Sequence, residues 1–195
     1  ILFLGLAISS AKLNWEHLVP IKEKVEIIFA IDASLSALAL DVTIKEGEQV
    51  RKISRLDLEK QQVENVIGDL KGDAVGIIIF AEQTIPLQIV LSREDYQNSL
   101  LRNLRYIDKD FIRYGIKQGT DYGILILTAI EQFSEKSNKK KVLFVLTDGE
   151  PQGNEAKLQE NMEKAIKVFV ERNDVSIYLI GVGNTRESSK IPQTE

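Results

Sequence analysis

The stretch Ile27-Ile28-Phe29-Ala30-Ile31-Asp32-Ala33-Ser34-Leu35-Ser36 decides how this chain folds. Its first five residues are apolar, mostly β-branched and without alternation, which predicts a central strand buried on both faces. Asp32 then falls at the carboxyl end of that strand, where open α/β sheets bind their ligands. Because residues two apart in extended chain point the same way, Asp32, Ser34 and Ser36 can converge on one small object.

A carboxylate and two hydroxyls suit a hard cation such as Mg²⁺ and suit Zn²⁺ or copper poorly. Three residues cannot hold such an ion, so further oxygen ligands are needed. The sequence offers two candidates. A second apolar strand, 142–146, is followed by Thr147-Asp148-Gly149, and Thr120 lies where a loop enters a helix. The expected metal is Mg²⁺, with Mn²⁺ or Ca²⁺ as alternatives.

The composition is that of an ordinary globular domain. The chain has 195 residues, of which 44% are hydrophobic and 28% charged, enough to bury a substantial core. A formal net charge of −4 argues against nucleic acid as a partner. The absence of cysteine excludes disulfides, thiolate catalysis and sulfur metal sites, but it leaves the cellular compartment undecided.

The order of apolar and amphipathic segments predicts β-α-β-β-α-α-β-α-β. We therefore expect an α/β fold: a doubly wound, mostly parallel sheet with helices on both faces and one antiparallel edge strand. Pro86 assigns the strand at 85–91 to that edge. Ser54 and Asp57 have capping-box spacing at the start of a helix. Residues 41–51 are predicted to be a long polar loop beside the site.

In the amphipathic helix at 155–172, the pattern predicts four residues on the buried face. These are Ala165, Ile166, Phe169 and Val170.

Enzyme chemistry finds little support in the sequence. There is no phosphate-binding G-x-x-x-x-G-K-[ST] loop, and Gly181-Val182-Gly183 lacks the third glycine of a dinucleotide site. A haloacid-dehalogenase-type phosphatase would need an Asp where Ser34 stands. The only histidine is His17, so neither Ser34 nor Ser36 has an evident general base. We expect no catalytic activity, with a metal-dependent phosphoryl-transfer enzyme as the alternative.

The D-x-S-x-S of residues 32–36, the loop Thr120 and Thr147-Asp148-Gly149, in that order, closely resemble the metal-ion-dependent adhesion site of von Willebrand factor A (VWA) domains. Segments outside the site look like bacterial VWA proteins of the aerotolerance (Bat) type, which are encoded beside MoxR-type AAA+ ATPases. Those segments are Arg55-Leu-Asp-Leu-Glu-Lys, Leu70-Lys-Gly-Asp-Ala-Val-Gly, Phe80-Ala, Gly119-Thr-Asp-Tyr-Gly and Ile180-Gly-Val-Gly.

The resemblance implies a function and a ligand set. Ser34, Ser36 and Thr120 would supply hydroxyls, while Asp32 and Asp148 would bind directly or through water. An Asp or Glu of a partner protein would complete the coordination of Mg²⁺. The chain would thus be an adhesion or scaffold module, with other VWA proteins and a MoxR-type AAA+ ATPase system as expected partners.

The resemblance covers about residues 25–185, which we take as the VWA domain. Residues 1–24 are expected to be an N-terminal extension. Its apolar 1–8 stretch is the end of a membrane helix with Trp15 near the interface, or else a terminal strand or helix packed on the domain. Residues 186–195 are expected to be a polar C-terminal tail of a truncated domain. Bat-type relatives imply attachment to the bacterial cell membrane, with the domain on the periplasmic side.

Overall fold

The computed structural model describes residues 6–8, 25–46, 49–70 and 73–183. Its strands are β1 (Leu6–Ile8), β2 (Val25–Asp32), β3 (Val42–Glu46), β4 (Gln49–Ile53), β5 (Ala74–Phe80), β6 (Thr84–Ser92), β7 (Lys140–Thr147) and β8 (Val175–Val182). Its α-helices are α1 (Arg55–Asp69), α2 (Arg93–Tyr106), α3 (Tyr122–Gln132) and α4 (Glu155–Glu171). A 3₁₀ turn at Leu35–Leu38 and a π-helical turn at Phe111–Gly115 complete the described elements.

Six of these strands form one sheet in the order β1-β8-β7-β2-β5-β6. Every neighbouring pair is parallel except β5 and β6, so the predicted fold class is confirmed. Pro86 lies in β6, the antiparallel edge strand, where a missing N–H costs no hydrogen bond to a further strand. The strands that end near Asp32 and Asp148 are direct neighbours, as a shared site requires.

The central strand β2 is buried along its whole length. Phe29 and Ile31 join an apolar cluster on one face of the sheet, and Ile28 and Ala30 join a second cluster on the other face. Helices α1 and α2 contribute to the first cluster and α3 to the second. This burial on both faces explains why the sequence of β2 is continuously apolar rather than alternating.

The predicted start of α1 agrees with the structure, but the predicted buried face of α4 does not. Ser54 caps α1: its Oγ accepts a bond from the Asp57 N–H at 3.0 Å and donates to Asp57 Oδ2 at 2.6 Å. The predicted cap is confirmed, although both bonds use the Ser54 hydroxyl and are not the reciprocal pair of a capping box. The prediction that Ile166 and Val170 of α4 point inward is wrong, because they are 45% and 68% exposed. The buried face of α4 is instead on the side of Ala165, about 100° around the helix axis from Ile166.

The segment predicted as a polar loop at 41–51 is in fact part of a β-hairpin, so that prediction is wrong. Strands β3 and β4 pair antiparallel, with Val42 opposite Ile53. These two side chains are buried, whereas Thr43, Arg51 and Lys52 are exposed. Val42 and Ile53 belong to the apolar core and Ile44 packs against it, which anchors the hairpin on the domain. The charged positions between them hid the alternation.

For the N-terminal stretch, one alternative was a terminal strand, and three of its residues do form one. Leu6–Ile8 form β1, which pairs parallel with β8, so these residues are not helical. Their backbone groups satisfy the otherwise open edge of β8. The rest of the predicted extension, with Trp15 and His17, and the tail at 186–195 lie outside the described residues. Within the described part of the chain, no helix is both long and apolar enough to cross a membrane.

Candidate metal centre

Asp32 lies at the base of the candidate site and has no solvent exposure. Its Oδ2 accepts a hydrogen bond from Thr147 Oγ1 at 2.6 Å, and its Oδ1 accepts one from the Ser34 N–H at 2.8 Å. Burial raises the pKa of Asp32, while these two hydrogen bonds act in the opposite direction. The carboxylate is therefore held in a fixed orientation in a setting that disfavours its negative charge.

The two serines and Asp148 meet above Asp32. Ser34 Oγ and Ser36 Oγ are 2.8 Å apart, and Ser36 Oγ donates to Asp148 Oδ1 at 2.9 Å. The 3₁₀ turn that begins at Leu35 brings Ser36 back toward Ser34. The Asp148 side chain is fully buried although it lies in a loop. The structure thus brings together four of the five predicted site residues through side-chain contacts.

Thr120 reaches the same edge of the sheet through its backbone. Its N–H donates to the Gln152 carbonyl at 2.7 Å, and the Gln152 N–H donates back at 3.1 Å, which ties it to the loop after Asp148. Gly119 has φ +139°, and a Cβ there would lie 2.8 Å from the Gln152 carbonyl oxygen, so glycine is required. Within the described residues, no hydrogen bond joins the Thr120 hydroxyl to the other four side chains.

Arg55, which the sequence placed at a helix start and in a segment that resembles Bat-type proteins, is a direct neighbour of the site. Its Nη1 donates to Asp148 Oδ2 at 2.8 Å, and its Nε donates to both carboxylate oxygens of Asp41 at 3.1 Å. Hydrogen bonding to Asp41, together with Asp148, raises the pKa of Arg55 further above its ordinary value. The same contact lowers the pKa of Asp41. The base of the β3–β4 hairpin is thereby linked to Asp148.

Glu59 is a second residue that the motif did not reveal. Its side chain has no exposure, its Oε2 accepts the Asp32 N–H at 3.1 Å, and its Oε1 has no hydrogen-bond partner among the described residues. Burial, reinforced by the charges of Asp32 and Asp148, raises the pKa of Glu59 well above its ordinary value. A signal was present in the sequence, because Glu59 interrupts the apolar stripe that runs along α1 from Leu56 to Val63.

Two further contacts fix the surroundings of the site. The Tyr122 hydroxyl lies 2.8 Å from Thr147 Oγ1, and burial raises the pKa of Tyr122 to about 12. Asp121 caps α3 by accepting the Ile124 N–H at 3.0 Å, and it also accepts a bond from Asn161 Nδ2 of α4 at 2.7 Å. Helices α3 and α4 are therefore locked together beside Thr120.

The charges at this edge of the sheet do not balance. Of the three buried carboxyl groups, only that of Asp148 bonds to the Arg55 guanidinium, which Asp41 also engages. When ionised, Asp32 and Glu59 have no direct cationic partner among the described residues. A small divalent cation fits this deficit, and the oxygen-only donor set suits a hard ion. Among the described residues, no metal-type group of three or more His, Cys, Asp or Glu is present, so the hydroxyls would be essential ligands.

Comparison with known proteins identifies the fold. The family described as von Willebrand factor type A domain matches residues 27–150. An aerotolerance-related membrane protein from Bacteroides fragilis, solved with multiple mutations to serine, is 27% identical, with a TM-score of 0.63 over 82% of this chain and 68% of that one. BatB from Bacteroides thetaiotaomicron is 28% identical, with a TM-score of 0.62 over 80% of this chain and 66% of that one.

A more distant likeness concerns proximal thread matrix protein 1 from the mussel byssus, solved with a zinc-occupied MIDAS motif. It is 17% identical, with a TM-score of 0.55 over 83% of this chain and 38% of that one, so this likeness concerns the fold alone. Comparison with curated protein sequences gave no match. The family match covers more than half of the chain, which therefore belongs to the von Willebrand factor type A domain family.

Proposed function

We propose that this domain is a protein-binding module that holds Mg²⁺, or alternatively Mn²⁺ or Ca²⁺, and uses the ion to engage an Asp or Glu side chain of a partner protein. The observation that carries the proposal is the charge imbalance at the carboxyl ends of β2 and β7. Asp32, Glu59 and Asp148 are all buried there with a single guanidinium nearby. A divalent cation would neutralise this excess and relieve the cost of burying like charges together.

The residues that would hold the ion are the five that the sequence pattern indicates. Ser36 lies within hydrogen-bond distance of both Ser34 and Asp148. A hydrogen bond from Thr147 fixes the orientation of the Asp32 carboxylate. Thr120 stands on the adjoining loop. Mg²⁺ retains several waters when proteins bind it, so one coordination position can be taken by a carboxylate from outside. Neutral hydroxyl ligands leave the ion enough positive charge to attract that carboxylate.

A metal-dependent phosphoryl-transfer enzyme has weaker support. Both carboxylate oxygens of Asp32 accept hydrogen bonds from the domain itself, which ill suits a nucleophile. Neither Ser34 nor Ser36 has a histidine beside it in the described part of the chain. We therefore favour binding over catalysis.

We further propose a membrane-associated setting. A structural relative at 27% identity is described as an aerotolerance-related membrane protein. On that likeness, this domain would lie on the periplasmic side of a bacterial cell membrane and be attached outside the described residues. Its partners would include other VWA proteins and a MoxR-type AAA+ ATPase system. Fractionation of the native protein, with protease accessibility in spheroplasts, tests this placement.

The direct test of the metal site is thermal unfolding with and without Mg²⁺. At about one hundred times the dissociation constant, Mg²⁺ should add about 2.7 kcal/mol to the free energy of unfolding. For a chain of this size, that is a rise in Tm of roughly 5–10 °C. Calorimetric titration of the same protein gives the affinity and stoichiometry directly.

The matched variants are Asp148→Ala, which removes a proposed ligand, and Asp174→Ala, which removes an aspartate from the opposite end of the sheet. The rise should vanish in the first and persist in the second. Millimolar acetate, added as a stand-in for the partner's carboxylate, should strengthen Mg²⁺ binding. No rise in the parent protein, with and without acetate, would reject the proposal.

A further inference from the structure

Two adjoining cavities lie beside the candidate metal centre, between the β3–β4 hairpin, the first turns of α1 and the segment that follows α2. Their volumes are about 420 Å³ and 410 Å³. Asp57 and Lys60 of α1 line both, so the two cavities share a wall, and we call the pair the α1 groove. Each half is within the size range of sites that accept side chains or small ligands.

The α1 groove is positively charged although the chain as a whole carries a net charge of −4. Its five basic residues come from the hairpin, α1, α2 and the π-helical turn: Arg51, Lys60, Arg105, Lys109 and Arg113. Its three acidic residues are Asp57, Glu64 and Asp108. Two of the three are engaged locally, because Asp57 takes part in the cap of α1 and Asp108 accepts the N–H groups of Asp110 and Phe111.

Lys60 stands at the junction of the two halves. Its Nζ donates to the Ile107 carbonyl at 2.7 Å, and within the described residues it forms no ion pair. Burial of the ammonium lowers the pKa of Lys60. The nearby charges of Asp57, Glu64 and Asp108 act in the opposite direction. A half-buried ammonium with no direct ion pair among the described residues still gains from an incoming anionic group.

The half of the groove nearer the metal centre is apolar at its base. Leu56 and Ile107 are buried there, and Leu40 leaves 64% of its side chain exposed at the rim. Leu40 and Leu38 follow Ser36 by four and two residues in the same segment. The segment that carries Ser36 therefore continues into the wall of the groove, which places the groove next to the proposed metal centre.

From this surface we infer that the α1 groove binds an acidic, amphipathic segment of the partner protein whose carboxylate the metal centre engages. Aspartates or glutamates of that segment meet the basic rim, and its apolar side chains cover Leu40 and the base of the groove. The inference rests on the proposed function only in taking the same partner to occupy both places. Charge complementarity of this kind steers association and favours acidic over basic or neutral partners.

The test uses a fluorescein-labelled peptide of four Leu-Asp-Asp-Leu repeats, followed by fluorescence anisotropy at low salt in Mg²⁺. A peptide of Leu-Asn-Asn-Leu repeats is the probe control. Reversing two exposed rim charges in Arg105→Glu/Arg113→Glu should weaken binding of the Asp peptide about tenfold. Leu40→Ser should weaken it about threefold, because an apolar contact at the rim is lost.

Each variant has a matched control elsewhere on the surface. Lys136→Glu/Lys167→Glu makes the same change in net charge at exposed positions that do not line the groove, and Val170→Ser replaces an aliphatic residue of similar exposure, 68%, on α4. Both should change the dissociation constant less than twofold. Equal weakening by the two double variants, or equal binding of the Asp and Asn peptides, would overturn the inference.

Two other occupants give different results. If vesicles of phosphatidylglycerol and phosphatidylcholine, or an oligothymidine strand, lose binding in Arg105→Glu/Arg113→Glu while the Asp peptide is unaffected, the groove serves a membrane or a nucleic acid and the inference is wrong. The Mg²⁺-dependent rise in Tm is recorded for every variant. If Mg²⁺ raises Tm normally but the groove variants bind the Asp peptide as the parent does, this inference alone is refuted. Peptide binding that requires the groove without any rise in Tm refutes the proposed metal site alone.

Discussion

The two ends of the central strands bury polar groups in contrasting ways. At the amino end, Lys141 is 1% exposed and pairs with Asp174 at 2.5 Å, and it also donates to the Ser137 carbonyl at 3.0 Å. Glu26, its neighbour on β2, accepts the Ser134 N–H at 3.0 Å. At the carboxyl end of the same strands, the buried carboxyl groups of Asp32, Glu59 and Asp148 lie near one another and only Asp148 bonds to Arg55. Glu59 Oε1 has no hydrogen-bond partner among the described residues.

The difference separates groups that stabilise the fold from groups that prepare a site. The amino-end charges each bind a nearby loop, and Lys141 finds its counter-charge within the domain. The carboxyl-end charges are mutually repulsive, which is a stability cost that a functional site retains. If this distinction is correct, removing the Glu59 charge at the carboxyl end should stabilise the fold without metal, whereas removing the Lys141 charge at the amino end should destabilise it. Only the carboxyl end should respond to metal.

The largest effect is expected for Arg55→Met. Removing the one cation near Asp148 leaves buried carboxylates uncompensated and should cost about 3 kcal/mol of stability in EDTA. The same change should tighten Mg²⁺ binding about tenfold, because the ion no longer shares Asp148 with a guanidinium. Unfolding in EDTA and calorimetric titration with Mg²⁺ measure the two quantities.

Asp41→Asn is the control for Arg55→Met, since it weakens the outer ion pair and keeps the contact between Arg55 and Asp148. Its affinity for Mg²⁺ should change by less than that of Arg55→Met. Weaker Mg²⁺ binding in Arg55→Met would mean that the guanidinium orients Asp148 for the ion. In that case the contrast between the two ends would not be one of unmatched charge.

At the amino end, Lys141→Met should lower the free energy of unfolding by about 2 kcal/mol. Breaking a buried ion pair costs about 3–5 kcal/mol, and the figure is reduced here because Asp174 is 38% exposed and can be solvated. The neighbouring Lys140→Met, at an exposed position, should be nearly neutral. The rise in Tm on adding Mg²⁺ should be the same in both variants, and a reduced rise in Lys141→Met would show that the ends are coupled.

The sequence was informative wherever burial leaves a repetitive trace. Continuous apolar runs identified β2 and β7, Pro86 identified the edge strand, and the carboxylate that follows each buried run gave Asp32 and Asp148. These signals are reliable because a strand covered on both faces tolerates few polar residues. The order of the strands then brought the two aspartates to one edge of the sheet.

Features that depend on one or two contacts were missed. The β3–β4 hairpin is anchored mainly by Val42 and Ile53, too few residues to produce a visible alternation. Arg55 and Glu59 are four residues apart and so lie on one face of α1, but their pairing with Asp148 and Asp32 depends on how that helix packs. The sequence carried two signals for them: Glu59 interrupts an apolar stripe, and residues 55–60 resemble a segment of Bat-type proteins.

The smallest effect expected is that of Glu59→Gln, and it depends on pH. Because the folded protein holds the pKa of Glu59 above its ordinary value of 4.5, the native state binds this proton more tightly than the unfolded state does. The free energy of unfolding in EDTA should therefore fall as pH rises from about 4.5 through the raised pKa. Glu59→Gln should reduce that decline, leaving the part due to the raised pKa of Asp32, and be more stable than the parent by about 1 kcal/mol at pH 7.5, with little difference at pH 4.5. Glu64→Gln, on the same helix, should keep the parent's decline.

Mg²⁺ favours the ionised carboxylates, so its stabilising effect on the parent should grow over the same pH range. A parent whose stability in EDTA rises with pH throughout would show that the buried carboxylates are already matched by the fold, and the carboxyl end would then be no different in kind from the amino end.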